Sequence, residues 1–153
     1  MKRDKLFFKC RRAVLKARER HCGFLAFFPK LICRMIIRSY GAGVPVDKNI
    51  EEFSAPHGFS GVFISKDAKI GKGCTIYQQV TIGSNGDKSS KHYGAPQIGD
   101  GVLIGAGARV IGNVKIGNNV NIGSGCIVSE DIPDDSTVVM PHPRVIIKNG
   151  DRK

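Results

Sequence analysis

IGDGVLIGAGARVIGNVKIGNNVNIGSGCIVSEDIP, residues 98–133, repeats every six positions. Ile98, Ile104, Val110, Ile116, Ile122 and Val128 lie on one frame, and Val102, Ala108, Val114, Val120, Cys126 and Ile132 fall four places after each. A helical period of 3.6 would not hold branched apolar residues at this spacing through six units, and an ordinary strand series would not punctuate them so regularly. Gly follows the leading Ile at 99, 105, 117 and 123. A short strand that must turn a corner there favours a residue without a Cβ.

Each hexad therefore reads as one face of a triangular coil, and three hexads make one rung of a parallel β-helix filled by stacked Ile and Val. A Gly-rich antiparallel sheet would instead need turns every eight to twelve residues or so. Forward from Ile64 the frame is regular, with Ile70, Ile76 and Ile82 leading and Ala68, Cys74 and Val80 inside. Run backwards it places Val62, Ile50 and Val46 inward, with Glu52, Pro56 and Gly58 as weaker matches, so the coil is expected to begin near Val46. Between Ile82 and Ile98 the frame breaks. The insertion, GSNGDKSSKHYGAPQ, is polar and rich in Gly and Ser, a loop (84–97) thrown out from one corner and a candidate functional segment.

The 153 residues allow one domain plus an appendage, divided at SYGAGVP into a basic helical arm (1–43) and a coil (44–153) with a basic C-terminal tail. The net charge of +11 is concentrated: residues 1–40 hold 12 Lys and Arg against Asp4 and Glu19, and the rest of the chain is almost neutral. That distribution removes the argument for nucleic acid as a partner. Five cysteines without paired spacing or CxxC, two of them (Cys74 and Cys126) on inward hexad positions, read as reduced core residues of a cytoplasmic protein. The first 20 residues carry nine basic groups and no apolar core of a secretory signal.

In the arm, Leu6, Cys10, Val14 and Ala17 recur at helical spacing. Residues 22–38 are more apolar but are interrupted by Pro29 and loaded with Lys30, Arg34 and Arg38, which argues against a bilayer span of about 20 apolar residues. Two readings remain for the arm: a helical pair packed on the coil or on a partner subunit, and a basic surface peripheral to anionic lipid at the inner membrane face. A coil this short buries little per rung, which favours a homo-oligomer.

PHGFSGVFISKDAKIGKGCTIYQQVTIGS followed by GAPQIGDGVLIGAGARVIGNVKIG resembles the hexapeptide-repeat acyltransferases, in particular their serine acetyltransferase branch and the related polysaccharide O-acetyltransferases. The likeness covers about residues 44–147 and leaves out the arm. It implies a left-handed β-helix, a homotrimer and transfer of an acetyl group from acetyl-CoA to an alcohol. A neutral imidazole suits the general base such a reaction needs, and His57 matches the family's catalytic histidine; alone, it would read as a turn histidine. The resemblance also places the pantetheine arm of CoA in a groove between neighbouring coils, against Gly83, Ala106 and Ser124. Arg144 and Lys148 are then candidates for the CoA phosphates, with a solvated tail as the alternative.

Two departures bear on the acceptor. Pro56 stands where serine acetyltransferases carry an acid, and Ala95 stands where they carry a second histidine. His92, three residues earlier, either binds acceptor or does nothing. An amino-acid acceptor needs opposite charges for its ammonium and carboxylate, for which Asp67, Asp87, Asp100, Lys88, Lys91 and Arg109 are the candidates. A sugar hydroxyl needs only neutral partners, and the loop offers Ser84, Asn85, Ser89, Ser90 and Tyr93. The sequence therefore leans to a sugar or polysaccharide precursor, with serine as the alternative and a non-catalytic scaffold as the reading from another class. No metal is expected: a zinc centre needs three protein ligands, and His57 is the coil's single histidine, with His21 in the arm, His92 in the loop and His142 in the tail.

Overall fold

The computed structural model describes residues 3–20, 23–142 and 144. Two helices, α1 (Arg3–Glu19) and α2 (Gly23–Ser39), precede eleven short strands. The strands stack into three parallel sheets, and the coil they form is left-handed. Sheet A comprises β1 (Phe63–Ile64), β4 (Thr81–Gly83), β7 (Arg109–Ile111) and β10 (Ile127–Val128). Sheet B comprises β2 (Lys69–Ile70), β5 (Gln97–Ile98) and β8 (Lys115–Ile116). Sheet C comprises β3 (Thr75–Ile76), β6 (Leu103–Ile104), β9 (Asn121–Ile122) and β11 (Thr137–Val138).

Register follows the hexad frame residue for residue. Ile64, Ile82, Val110 and Val128 stack in one column, Ile70, Ile98 and Ile116 in a second, and Ile76, Ile104, Ile122 and Val138 in the third. All but Val138 are buried, as are the fifth-position residues from Val62 to Cys126. Because every strand is only two or three residues long, its stability comes from these columns and from hydrogen bonds to the rungs on either side, not from any strand by itself.

The glycines after the leading Ile have a different cause from the one the sequence suggested. A Cβ on Gly105 would lie 2.6 Å from the Ser124 nitrogen of the next rung. Close approach between rungs excludes the side chain; the φ angle does not.

The first rung is the irregular one. Gly43 pairs with Phe63, Ile50 with Ile70 and Ser54 with Thr75, so pairing begins before Val46 and the rung is longer than three hexads. The backward extension of the frame is correct for Ile50 and Val62, but Glu52 and Pro56 point outward and the interior is filled by Phe53, Ala55 and Phe59. Helix α1 covers this open end. Phe7 lies 5.0 Å from Phe59 and Phe8 lies 5.2 Å from Phe53, ring centre to ring centre and edge-on. Of the expected stripe, Cys10, Val14 and Ala17 are buried and Leu6 is half-buried; Phe7 and Phe8 widen the packed face toward the coil. Arg11, 4% exposed, reaches across to donate to the main-chain carbonyls of Asp47 and Ile50.

Helix α2 packs on α1 and runs without a break through Pro29. The expected interruption does not occur; proline removes the one bond that the Leu25 carbonyl would have accepted, in an exposed part of the helix. No helix among the described residues is long and apolar enough to cross a membrane.

Candidate active site

His57 is presented by a turn. Ala55 and Phe59 are buried on either side of it, and the Gly58 N–H bonds back to the Ala55 carbonyl at 2.9 Å, which throws Pro56 and His57 outward. Gly58 has φ of +70°, and a Cβ there would meet the Tyr40 ring at 2.7 Å, so this corner requires glycine on both counts.

One rung further, Gln78 occupies the turn after β3. Its Oε1 lies 2.7 Å from His57 Nδ1, and the Tyr77 ring stands edge-on to the imidazole at 5.7 Å. An amide oxygen can only accept, so Nδ1 carries a proton, and in the neutral ring the lone pair is on Nε2. The partner is neutral and fixes ring orientation and tautomer without adding charge.

His57, Tyr77 and Gln78 line an open hollow of ≈ 430 Å³ together with Gly105, Ala106, Gly123 and Ser124. Because Ile76, Ile104 and Ile122 stack, the residues two places on, Gln78, Ala106 and Ser124, form a column along the corner between sheets C and A. Successive rungs are tied there by Gly107 N–H to the Gln78 carbonyl at 3.0 Å and Gly125 N–H to the Ala106 carbonyl at 2.9 Å. The hollow therefore offers a free imidazole nitrogen beside a narrow track of small residues.

Of the residues singled out in the sequence, His57, Ala106 and Ser124 come together in this hollow. Gly83 does not: it ends β4 at the opposite corner of sheet A, where it pairs with Ile111. Arg144 is exposed, and Lys148 lies outside the described residues. His92 is half-buried in the loop, over Gly112, with its carbonyl accepting from Asn113 N–H at 2.9 Å. It does not line the hollow. His21 also lies outside the described residues, and among the described ones no group of three or more His, Cys, Asp or Glu could hold a metal ion.

Much of the loop's polar surface is turned on the loop itself. Asn85 and Gly94 exchange main-chain hydrogen bonds of 2.7 and 3.0 Å that pinch its base. Asn85 Oδ1 accepts from Asp87 N–H, Ser89 donates to Asp87, and Ser90 accepts from His92 N–H. The bonds from the Ser89 hydroxyl and N–H hold the Asp87 carboxyl below its usual range. Asp100 accepts from Lys72 N–H at 2.7 Å and belongs to a side-chain ladder continued by Asn118 and Asp134. These loop and corner groups, nominated as acceptor contacts, already serve the fold.

Gln78 was missed as a site residue. The signal that finds it is the frame itself, which places it in the same column as Ala106 and Ser124.

Residues 95–130 match the bacterial transferase hexapeptide (six repeats) family. A serine acetyltransferase of Synechococcus elongatus is 47% identical over 96 residues, covering 63% of this chain and 38% of that protein. Among solved structures, serine acetyltransferase isoform 3 of Entamoeba histolytica, in complex with cysteine, superposes with a TM-score of 0.66 at 38% identity, covering 80% of this chain and 43% of that one. The serine acetyltransferase of Neisseria gonorrhoeae superposes with a TM-score of 0.68 at 26% identity, covering 95% of this chain and 54% of that one. The chain thus spans roughly two fifths to a little over half the length of these proteins, and its coil is similar to those of hexapeptide-repeat transferases, serine acetyltransferases among them.

Proposed function

We propose that the chain is an acetyl-CoA-dependent O-acetyltransferase with His57 as general base. The observation that carries this is the imidazole whose Nδ1 is held by Gln78 at 2.7 Å while Nε2 has no partner among the described residues. An alcohol is a weak nucleophile at neutral pH. As its oxygen attacks the thioester carbonyl, Nε2 takes the hydroxyl proton; when the tetrahedral intermediate collapses, the C–S bond breaks and the imidazolium returns the proton to the departing CoA thiolate. Gln78 is a positioning residue in this scheme. It keeps Nε2 toward the hollow and, being neutral, stabilises the imidazolium less than a carboxylate would. Ala106 and Ser124 leave room for a slender chain such as pantetheine along the corner.

The acceptor we propose is L-serine, which replaces the sugar preference drawn from composition. That preference rested on the scarcity of charged partners and on Ser84, Asn85, Ser89, Ser90 and Tyr93 being open to hydroxyls; of these, Asn85, Ser89 and Ser90 are engaged in the loop's own turns and Ser84 accepts from the Ser65 hydroxyl. The relatives matched at 47% and 38% identity are serine acetyltransferases. Serine still requires charged partners, and none lines the hollow of a single chain. The hollow is open, and Gly83 and the loop lie at another corner of the triangle. A homotrimer that sets the loop corner of one copy against the His57 corner of the next would close the site and bring charge to it; light scattering that showed a monomer at micromolar concentration would remove this part of the reading.

Thiol release from acetyl-CoA, followed with L-serine and separately with a panel of sugars and nucleotide sugars, tests the assignment. Saturable turnover with serine is expected. Turnover with a sugar alone would keep the reaction and overturn the acceptor. No release with any acceptor, together with no heat of CoA binding by calorimetry, would leave a non-catalytic scaffold.

A further inference from the structure

Helix α2 has two apolar faces, and the chain covers one. Ala26, Cys33 and Ile36 are buried, whereas Phe24 (84% exposed), Leu25, Phe27, Phe28 (65%), Leu31 and Met35 (64%) stand in water on the other side. Their spacing, 24, 28, 31 and 35 with 27 and 25 beside them, makes a continuous ridge along the helix. Six large apolar side chains on one two-sided helix form a patch of the kind that soluble surfaces rarely leave open.

A second feature adjoins the ridge. Between α1, α2 and the first rung lies a pocket of ≈ 300 Å³ whose wall carries Arg18, Lys30, Arg34 and Arg38 over a floor that includes Cys33 and Ile37. Among the described residues the single ion pair is Arg12 with Glu52, so no carboxylate neutralises these four cations. Arg18 donates to the Val46 carbonyl at 3.2 Å.

An apolar ridge and an unneutralised cationic pocket on the same helix demand an occupant that is apolar in one layer and anionic in the next. A second copy of this face does not fit, since residues 1–40 carry 12 Lys and Arg against Asp4 and Glu19 and like charges would meet. We propose that α2 seats the chain on the surface of an anionic phospholipid bilayer, with the Phe and Met ridge entering the acyl boundary and a headgroup phosphate in the pocket of Arg18, Lys30, Arg34 and Arg38. The helix lies in the plane of the interface, as a charged, two-faced helix does. Anionic lipid draws the arm to the surface, and the ridge holds it there.

The test uses the full chain with two vesicle preparations, phosphatidylcholine alone and phosphatidylcholine mixed with phosphatidylserine, by co-sedimentation. The wild type should sediment with the mixed vesicles and not with phosphatidylcholine alone, and should be released by high salt. The triple variant Phe24→Ser, Phe28→Ser, Met35→Ser and, separately, the pair Lys30→Glu, Arg34→Glu should each lower partitioning by at least about tenfold; all five side chains are exposed, so circular dichroism should show both proteins folded. His57→Ala should sediment as the wild type does, which separates this proposal from the acetyl-transfer reading. Failure of the wild type to sediment with the mixed vesicles overturns the proposal. So does a triple variant that binds vesicles unchanged, or one whose effect is a change of oligomeric state by light scattering, which would make the ridge a subunit interface.

Discussion

The coil and the arm hold together by different means. In the middle rungs of the coil the inward side chains sit between equivalent positions of the rungs above and below, as Ile104 does between Ile76 and Ile122, and the charge of the coil is near zero. The arm is made once. Its contacts are particular, Phe7 on Phe59 and Arg11 on two carbonyls, one face of α2 is left open, and nearly all the net charge of the chain is there. Repetition makes a structure whose parts predict one another; a single-use packing does not.

The comparison can be pressed at matched positions. Ile104→Ala in the coil should lower unfolding free energy by about 2–5 kcal/mol, because a fully buried column cannot collapse around the missing atoms. Urea melts would show it, and a change under about 1 kcal/mol would mean that the columns do not carry the coil. Arg11→Met, at the joint between arm and coil, should cost up to about 3 kcal/mol: it leaves the Ile50 carbonyl unpaired and the Asp47 carbonyl with the Ile50 N–H alone, where Arg11 had been held against the pull of burial, which lowers its pKa. Arg11→Met as stable as the wild type would show that the arm is held by its aromatic rings alone.

A weaker and pH-dependent effect belongs to Cys33, buried between the helices against the Phe7 carbonyl. Burial, with Cys10 beside it, pushes its thiol from 9.0 up to about 11. The folded state therefore keeps a proton that the unfolded chain gives up, and stability is intact below pH 9 and falls as pH rises toward 11, by at most about 2 to 3 kcal/mol. Melts of the wild type and Cys33→Ala across that window should differ in slope, the variant being flatter; equal slopes would contradict it. The smallest effect is expected on the open face of α2, where Phe28→Ala should change stability by no more than about 0.5 kcal/mol.

How much could be read beforehand follows the same division. The hexad frame placed the inward residues from Ile64 to Val128 because each is repeated, and the flanking motif placed His57. Phe7 and Phe8 were not legible as core, since what buries them is Phe53 and Phe59, distant in sequence and in a rung that departs from the frame. Helix α2 continues through Pro29 because the carbonyl it deprives is in an exposed stretch, which no local pattern announces. The frame puts Gln78 in the column of Ala106 and Ser124, but its contact with His57 comes from a turn in the irregular rung, and Asn85, Ser89 and Ser90 looked free because their partners lie within the loop.

The central claim is that His57 Nε2 takes the acceptor's proton. Thiol release from acetyl-CoA at saturating L-serine should fall about 10²- to 10⁴-fold in His57→Ala, with the heat of CoA binding nearly unchanged. Full turnover by His57→Ala would contradict the account.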